Sequence, residues 1–580
     1  MWNTNWREDI WSKLDQPWDI VVIGGGITGA GVLREATMLG ARALLVEQRD
    51  FAWGTSSRSS KLVHGGLRYL REGKIGLTRA SVQERDRLLE AAPGLIAPLS
   101  FLLATYAGAR PGRWTYRAAL SMYDLLARRR SHRYYGAQEF QMLGPRINQR
   151  GLQGGFCYGE AQTDDARLVL RVIREAVAAG GVAINYVAAE ELLRADGQVL
   201  GVRLRDRQGR TAEVRARVVV NATGAWADRL RGQVDRPARI RPLRGSHMIF
   251  PAWRLPVAQG ITFMHPLDHR PVFILPWEGV TLVGTTDVDH GRPLDDEPAI
   301  SPEEVSYLMA AAEALFPALN LSLSDVISTY AGVRPVIGSG QADPSRESRD
   351  HVVWEESGLL TVTGGKLTTF RLVALDALAA ASARLLDLPR LSRDLPALNP
   401  IGAELPGAEA LDDWQRRRLL GRYGADAVPL VAAALPGELE PIPGAQTLWA
   451  ELRWAARAEG VLHLDDLLLR RTRLGLLLPA GGKSLLPVIR AICQPELGWD
   501  DAHWEAEAAG YLELWGSCYS PPDPTSVPDW RAPLATASLA RRAPRRRSGA
   551  RLALAGRLIG GAALALLRRR GRQATRRATY

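Results

Sequence analysis

Cysteine is scarce in this sequence, and Cys157, Cys493 and Cys518 stand far apart among its 580 residues. They form neither a CxxC pair nor a set of metal ligands, so we expect no metal site and a reducing compartment. Long apolar runs are also missing. No stretch reaches the roughly 18 apolar residues of a membrane-spanning helix, and the first residues, MWNTNWREDIWSKLD, lack the apolar core of a secretory signal. We therefore expect a cytoplasmic protein.

Acidic residues are absent from the last fifty positions. Residues 531–580 contain fourteen arginines and no Lys, Asp or Glu. Because the whole chain has a formal net charge of +12, residues 1–530 are left with a net charge of −2. The basic character belongs to the tail, so the body shows no electrostatic sign of binding nucleic acid, and we expect no nucleic-acid partner.

The tail combines arginines with a short apolar centre, RRAPRRRSGARLALAGRLIGGAALALLRRR (541–570). Its uninterrupted apolar run, 558–567, is too short to cross a bilayer, which takes about 20 residues. Three interpretations stay open for the tail: a segment lying on an anionic membrane surface, a disordered extension without function, and a segment that binds nucleic acid non-specifically. The preceding stretch SPPDPTSVPDW (520–530) is typical of a Pro-rich linker.

Two apolar runs near the start of the sequence predict a βαβ unit. DIVVIGGGITGAG (19–31) is a strand that ends in glycines, a helix follows up to Gly40, and ARALLVE (41–47) is a second strand. Residues 76–130 predict mainly helix. Residues 201–224, 243–290 and 359–363 predict strands, and the pattern after about 400 predicts helices.

The glycines of the first turn suit a dinucleotide. Gly24, Gly26 and Gly29 form GxGxxG between a strand and a helix, which lets the backbone approach a pyrophosphate at the helix N-terminus. Glu47 ends the next strand, where a carboxylate accepts hydrogen bonds from a free ribose 2′-hydroxyl, as in FAD or NAD.

Later glycine turns favour FAD over NAD. The stretch SSRSSKLVHGGLRYL (56–70) is rich in hydrogen-bond donors and bare backbone, and it follows the second strand directly. VVVNATGAW (218–226) and LTVTGGKLTTF (360–370) add two further strand-to-glycine turns. Three glycine turns, spread along the chain, each allow the backbone to come close to a ligand. This arrangement suits a long dinucleotide that is held over its whole length.

These segments together resemble the FAD-dependent glycerol-3-phosphate dehydrogenases, of the aerobic, quinone-linked type. The resemblance covers about residues 17–385 and is carried by GGGITGAG, TSSRSSKLVHGGLRYL, DDARLVL, VNATGAW, RGSHMIFP, FILPWEG with VGTTD, TYAGVRPV, SRD and GGKLTTFR, in this order. It continues more weakly through 451–476. The tail, 531–580, matches nothing in the family.

The resemblance implies an α/β fold. Its doubly wound FAD-binding domain is of the glutathione-reductase/amine-oxidase type and is discontinuous, comprising residues 17–90, 150–240 and 350–385. An antiparallel-sheet substrate-binding domain comprises 91–149 and 241–349. A C-terminal helical domain comprises 400–520.

The resemblance also implies an activity: oxidation of sn-glycerol 3-phosphate to dihydroxyacetone phosphate, with electrons passed through FAD to a membrane quinone. The enzyme would then sit peripherally on the cytoplasmic face of an anionic membrane, as a possible homodimer. Three alternatives stay open: an oxidase that uses oxygen, a flavin amine or amino-acid oxidase, and a flavoprotein without catalysis that scaffolds or senses through its basic tail. The cluster of basic residues described next argues against the second, because an amino acid needs one carboxylate clamp and not a site for a dianion.

Alcohol oxidation needs a base, a positive group for the developing alkoxide and a clamp for the phosphate. His247 is the candidate base, since its ordinary pKa lies near neutrality. Arg334 is the candidate for the alkoxide. Arg68, Arg349 and Lys366 are candidates for the phosphate, although Lys366 equally suits the flavin pyrimidine. Tyr69 either bonds the substrate or packs.

The remaining predicted contacts are to the cofactor. They are Gly24, Gly26, Ile27, Gly29, Glu47, Thr55, Ser56, Ser60, Leu62, His64, Gly65, Val187, Ala222, Thr223, Gly224, Gly365, Lys366, Leu367 and Thr368.

Overall fold

The structure is a computed structural model of the chain. It describes residues 2, 5–71, 73–109, 111–338, 340, 347, 350–389, 396–400, 402 and 404–534, with the backbone alone at Arg68 and Arg71. Arg349 and tail residues 535–580 lie outside the described residues. The chain divides into two units, residues 1–530 and residues 531–580, and the fold described below is that of the first.

Strands and helices are numbered along the chain. The strands are β1 Trp18–Ile23, β2 Ala43–Glu47, β3 Leu62–Val63, β4 Ile96–Tyr106, β5 Arg133–Gly136, β6 Leu152–Thr163, β7 Val182–Asn185, β8 Val187–Ala195, β9 Gln198–Asp206, β10 Thr211–Asn221, β11 Ile240–Pro251, β12 Gly260–Met264, β13 Pro271–Trp277, β14 Val280–Gly284, β15 Val288–Asp289, β16 Ser328–Ile337, β17 Val352–Glu356 and β18 Leu359–Thr363. The helices are α1 Trp6–Trp11, α2 Ile27–Met38, α3 Leu67–Arg71, α4 Ile75–Ala91, α5 Arg113–Ala127, α6 Ala137–Leu143, α7 Asp165–Ala178, α8 Ala227–Gly232, α9 Pro302–Leu315, α10 Phe370–Ala381, α11 Asp413–Tyr423, α12 Ala427–Ala432, α13 Trp449–Ala458, α14 Leu474–Leu477, α15 Leu486–Leu497 and α16 Asp501–Cys518.

The first sheet is built around the apolar strand β1. Its order is β17-β18-β10-β1-β2-β7, parallel from β18 to β7, with β9 paired antiparallel to β10 and β8 paired antiparallel to β9. Ile20 and Val22 pack against α2, α7 and α10, whereas Val21 and Ile23 pack towards β8 and β9. Because both faces are covered, β1 is apolar throughout instead of alternating. The predicted βαβ unit is confirmed.

The second sheet is mainly antiparallel. Its order is β15-β11-β14-β13-β12-β4-β6-β3, with β16 paired to β11 and β5 to β6, and β12 with β4 is its one parallel pair among the described strands. Met248 and Phe250 of β11 pack on the side of α9, whereas Ile249 packs on the side of the C-terminal helices. The predicted class, an α/β fold with an antiparallel second sheet and a helical C-terminal part, is confirmed.

Buried ion pairs join the C-terminal helices to the first sheet region. Arg471 Nη2 lies 2.7 Å from Asp50 Oδ1, and Arg473 Nε lies 3.0 Å from Asp164 Oδ1. Burial opposes ionisation of Asp50, but Arg471 and Arg470 lower its pKa to about 2. Since a buried charge is tolerated only with its partner, the helical part is fixed to the rest of the unit.

The sequence prediction for residues 76–130 is wrong in its middle. Residues 96–106 form β4, an 11-residue strand between β6 and β12. Leu and Ala favour helix locally, but pairing on both sides outweighs that preference. Pro98 is tolerated because its missing N–H would face the β12 side of the strand. β12 pairs with β4 only from Phe101 onwards, so no hydrogen bond is lost at the proline.

Two further sequence predictions differ from the structure. Residues 152–163, assigned to the FAD-binding domain, form β6 of the second sheet. Residues 520–530 do not behave as a free linker, since Val527 and Trp530 pack on the α9 side of that sheet and Trp530 Nε1 donates to Glu313 at 2.8 Å. Apolar residues between the prolines supply the contacts that a linker lacks.

Candidate active site

The glycine turn between β1 and α2 is too tight for side chains. A Cβ on Gly24, whose φ is +114°, would stand 2.6 Å from the carbonyl oxygen of Ala222, and one on Gly29 would stand 1.9 Å from that of Gly24. Glycine is therefore required at both positions. The first turn and the 222–224 turn are consequently packed against each other at the carboxyl ends of β1 and β10.

Glu47 at the end of β2 is bonded to the glycine turn. Its two carboxylate oxygens accept hydrogen bonds from the backbone N–H groups of Gly25 (2.6 Å) and Arg49 (2.8 Å). Burial raises the pKa of Glu47, although these two N–H donors oppose the shift. Each oxygen keeps a further lone pair, which is the chemistry that a ribose hydroxyl requires.

The segment 55–70 connects the separate parts of the site. Ser56 Oγ accepts the N–H of Ile27 at 2.9 Å, and Thr55 Oγ1 donates to the carbonyl of Val333. Ser60 Oγ lies 2.9 Å from His247 Nε2. Further along, Thr368 Oγ1 accepts the N–H of His64 at 3.1 Å. The glycine turn, β11, β16 and the 364–368 turn thus all meet this one segment.

His247 lies in a slot on β11. A Cβ on Gly284 of β14 would come within 2.1 Å of its ring, and Tyr330 of β16 stacks on the other side at 4.6 Å between centroids. Burial, together with the positive charges of Arg334 and Lys61, lowers the pKa of His247 well below its ordinary value. The imidazole is therefore neutral near pH 7, with a free lone pair on one ring nitrogen, and the same burial and charges weaken it as a base.

Arg334 lies across Gly245 on the same face of the second sheet. A Cβ on Gly245 would stand 2.1 Å from Nη2, and since Gly245 and His247 are two residues apart on β11, both point to one face. Arg334 donates to Asp287 Oδ1 at 3.0 Å and to Thr285 Oγ1 at 2.9 Å. The guanidinium is thus held in place beside the candidate base.

Tyr69 and Lys366 form the other polar contact of the site. The Lys366 ammonium lies 3.5 Å from the centroid of the buried Tyr69 ring and 3.1 Å from Ser81 Oγ. Gly66 lies beside both groups, since its Cβ would stand 2.3 Å from the ring and 3.3 Å from Nζ. Lys366 and Tyr69 therefore act as a unit beside the Gly65-Gly66 turn.

Most of the other predicted residues lie at the turns of the first sheet, whereas Leu62 lies in β3 of the second sheet. Gly224, Gly364 and Gly365 have φ of +60°, +78° and +78°. Thr223 Oγ1 bonds Asn221, and Leu62 and Val187 are buried in β3 and β8. The side chain of Arg68, in α3, and the whole of Arg349 lie outside what the structure describes, so neither is placed by it.

A buried cation that the sequence did not indicate lies next to His247. Lys61 Nζ donates to Ser57 O at 2.6 Å and to Asp165 Oδ1 at 2.8 Å, and it lies 4.6 Å from the centroid of Tyr330. Burial lowers the pKa of Lys61 to about 8, against the attraction of Asp165. Asp165 also accepts from Ser59 N and Oγ, so one carboxylate holds the residues on both sides of Ser60.

A second group that the sequence did not indicate lies under Gly65. Glu160 of β6 accepts from Gly65 N at 3.1 Å, from Arg85 Nη1 at 2.9 Å and from Tyr123 Oη at 2.5 Å. A Cβ on Gly65 would stand 2.2 Å from that hydroxyl. The only sequence signal was the glycine pair itself. It predicts that another group lies close to this backbone, but it does not identify the group.

The donor set fits FAD. Glycine turns at 24–26, 222–224 and 364–365 bring bare backbone to the carboxyl ends of three parallel strands, where nucleotides bind in such sheets. Glu47 supplies the acceptor for a ribose without a 2′-phosphate. No described group of His, Cys, Asp and Glu has the arrangement of a metal site.

Family models match two parts of the chain. Residues 19–371 match the FAD dependent oxidoreductases, and residues 389–504 match the C-terminal domain of alpha-glycerophosphate oxidase. The first match alone spans more than half of the chain and covers both sheets.

Curated relatives agree over most of their length. The chain is 35% identical over 534 residues to glycerol-3-phosphate dehydrogenase 2 of Mycobacterium bovis, covering 87% of this chain and 89% of the relative. It is 35% identical over 494 residues to the aerobic glycerol-3-phosphate dehydrogenase of Staphylococcus saprophyticus, covering 80% and 88%.

A solved structure gives the same result. The glycerol-3-phosphate dehydrogenase from Bacillus halodurans, complexed with FAD, superimposes with a TM-score of 0.72 at 28% identity, covering 89% of this chain and 98% of the other. The first family model and this structure agree with the cofactor that the glycine turns and Glu47 indicate. The chain belongs to the FAD-dependent glycerol-3-phosphate dehydrogenase family.

Proposed function

We propose that the protein oxidises sn-glycerol 3-phosphate to dihydroxyacetone phosphate and passes the electrons to a membrane quinone. The observation that carries the proposal is the course of segment 55–70, which bonds the glycine turn through Ser56, the base candidate through Ser60 and the Lys366 turn through His64. A cofactor lying along this segment reaches from its nucleotide end to a set of basic side chains. The names of the relatives support the substrate.

FAD is assigned to the groups at the carboxyl edge of the first sheet. Glu47 and the three glycine turns would hold its nucleotide part, with Ser56 at the N-terminus of α2. When bound, FAD supplies the acceptor for the hydride that leaves the substrate carbon. In this assignment the first sheet carries the cofactor and the second sheet carries the residues that act on the substrate.

His247 is proposed to take the hydroxyl proton. A base must be unprotonated before the reaction, and burial with two neighbouring cations favours the neutral imidazole. Ser60 Oγ, at 2.9 Å from Nε2, fixes the ring, as do Tyr330 and the bare Cα of Gly284 on its two faces. A base held in this way loses little orientation when the proton moves.

Arg334 is proposed to stabilise the alkoxide that forms as the proton leaves. Its guanidinium does not give up its proton near neutral pH, so it keeps its positive charge while the oxygen charge develops. Asp287 and Thr285 hold it, which preorganises the site before the substrate arrives.

A doubly charged phosphate is proposed to bind at the remaining basic residues. Lys366 with Tyr69 provides one positive point beside the Gly65-Gly66 turn. Arg68 in α3 and Arg349 are proposed as its partners from the sequence. So many cations suit a phosphate dianion better than an amino-acid carboxylate, which supports this reaction over that of an amine oxidase.

The quinone acceptor, contact with an anionic membrane on its cytoplasmic face and a homodimer remain part of the proposal. Within the described residues, no helix has both the length and the apolar character to cross a bilayer. Electron delivery to a membrane quinone requires a surface that attaches to the membrane.

The experiment is anaerobic reduction. The purified protein is mixed with sn-glycerol 3-phosphate, and the visible flavin band is followed. Bleaching on mixing supports the substrate; an unchanged band with FAD demonstrably bound rejects it. Reoxidation by air is then compared with reoxidation by a soluble quinone. Faster reoxidation by quinone supports the dehydrogenase, and prompt reoxidation by air with hydrogen peroxide supports an oxidase.

A further inference from the structure

Helix α5 carries an apolar stripe on its solvent face. Trp114 is 72% exposed, Leu125 70% and Met122 40%, and Ala118 between them is exposed too. Their spacing places them within an arc of about 80° on an α-helix, because successive residues are about 100° apart. The opposite side of the helix buries Tyr123. The stripe is thus additional to the apolar face that the helix uses for packing.

Exposed arginines border the stripe. Arg113 and Arg117 are exposed on the helix, and Arg128, Arg129 and Arg130 are exposed directly after it. Between 107 and 138 the sequence holds a single acid, Asp124, and it is buried and bonded to Ser131 Oγ at 2.7 Å. No exposed acid in this segment therefore neutralises the arginines.

We propose that the outer face of α5 is the surface by which the protein binds an anionic lipid bilayer. An apolar stripe containing tryptophan and flanked by arginines has the composition of a helix that lies in the lipid interface. Lipid phosphates complement the arginines while Trp114, Met122 and Leu125 enter the acyl boundary. This inference rests on the proposed function, since it locates the contact through which a membrane quinone is reached.

The inner face of α5 touches the predicted flavin segment. Tyr123 Oη donates to Glu160, which accepts from Gly65 N, and a Cβ on Gly65 would stand 2.2 Å from that hydroxyl. The same helix packs on α3, which contains Tyr69. One helix, about 10–12 Å across, therefore separates the stripe from segment 55–70. A bilayer on this face lies close to the site that must deliver electrons to it.

The test uses the full-length holoenzyme and co-sedimentation with vesicles. One set is an equal mixture of phosphatidylcholine and phosphatidylglycerol, and the other is phosphatidylcholine alone. We expect binding to the anionic vesicles, weakening with salt, and at least about a tenfold loss of affinity in the variant Trp114→Ser/Met122→Ser/Leu125→Ser. The matched control is Trp253→Ser/Leu386→Ser, which removes residues that are 81% and 83% exposed outside α5 and should bind like the wild type.

Activity separates this inference from the proposed function. With sn-glycerol 3-phosphate, the α5 variant should reduce a soluble dye at the wild-type rate and reduce ubiquinone in vesicles at least about tenfold more slowly. If the wild type reduces neither acceptor, the proposed function fails. The vesicle result would still show whether the outer face of α5 binds the bilayer. Unchanged vesicle binding by the α5 variant would overturn the inference. A change of the α5 variant from dimer to monomer in gel filtration, with no other change, would also overturn the inference. A second copy of the chain, and not a bilayer, would then cover the stripe.

Discussion

Gly245→Ala tests whether the exact seat of Arg334 matters for catalysis. The new Cβ would stand 2.1 Å from Nη2 and 2.5 Å from Cζ of Arg334. Ordinary contacts of this kind are about 3.5–4.0 Å, so the guanidinium must withdraw by roughly 1 Å or more. It would then leave its positions 3.0 Å from Asp287 and 2.9 Å from Thr285.

The fold should tolerate this change better than the chemistry does. The clash is with the end of a long side chain and not with backbone, so overpacking should reduce stability by about 1–3 kcal/mol. A misplacement of about 1 Å lowers reaction rates about 100-fold, comparable with the loss of one donor to a developing oxyanion. We therefore expect kcat/KM for sn-glycerol 3-phosphate to fall about 100-fold, with FAD content retained.

The assay is anaerobic stopped-flow reduction of the bound flavin, with thermal unfolding as the measure of stability. The matched control is Gly159→Ala in β6 of the same sheet, where the new Cβ would meet its nearest neighbour, Ser131 Cβ, at 3.7 Å, an ordinary contact. The control should keep wild-type kinetics. Wild-type kcat/KM in Gly245→Ala, or an equal loss in the control, would refute the assignment of Arg334.

Three further predictions concern the surroundings of the base. Because burial is the main cause of the lowered pKa of His247, the acid limb of kcat/KM against pH should lie well below the ordinary histidine value of about 6.5; a limb at or above that value contradicts a neutral buried base. Ser60→Ala removes the 2.9 Å contact to the ring and should lower kcat about tenfold with little change in KM, measured by steady-state kinetics with a soluble dye; an effect on KM alone would assign Ser60 to binding. Asp165→Asn leaves the buried Lys61 without its counter-charge and Arg473 with Asp164 alone, so urea unfolding should show a loss of about 3–5 kcal/mol in the free energy of unfolding, and a loss below about 1 kcal/mol would contradict the ion-pair account.

The cofactor half of the site was predictable because its signals are local. A strand, a glycine turn and an acid at the end of the next strand lie within thirty residues, and their geometry follows from backbone sterics. The bond between Glu47 and Gly25 N is a direct consequence of that spacing. The apolar runs of β13, β14 and β18 were equally clear, since a short β-branched run between turns has few other uses.

The surroundings of the base were not predictable because they join distant segments. Lys61 meets Asp165 across 104 residues, and Gly65 meets Glu160 across 95. No periodicity relates such positions, and each of these residues alone is compatible with a solvated surface. The strand β4 was missed for a similar reason, because its partners β6 and β12 lie far along the chain and its own leucines favour helix.

The buried ion pairs between the C-terminal helices and the first sheet region limit which segments of this protein can be deleted or exchanged. Arg470 and Arg471 complement Asp50, and Arg473 complements Asp164, with all of these side chains almost fully buried. A deletion or exchange of the helical segment would leave two aspartates with no counter-ion inside the cofactor-binding half. The segments that carry these aspartates and the C-terminal helices are therefore expected to evolve together. A chimera should fold only when the protein that donates the helices also donates the aspartates.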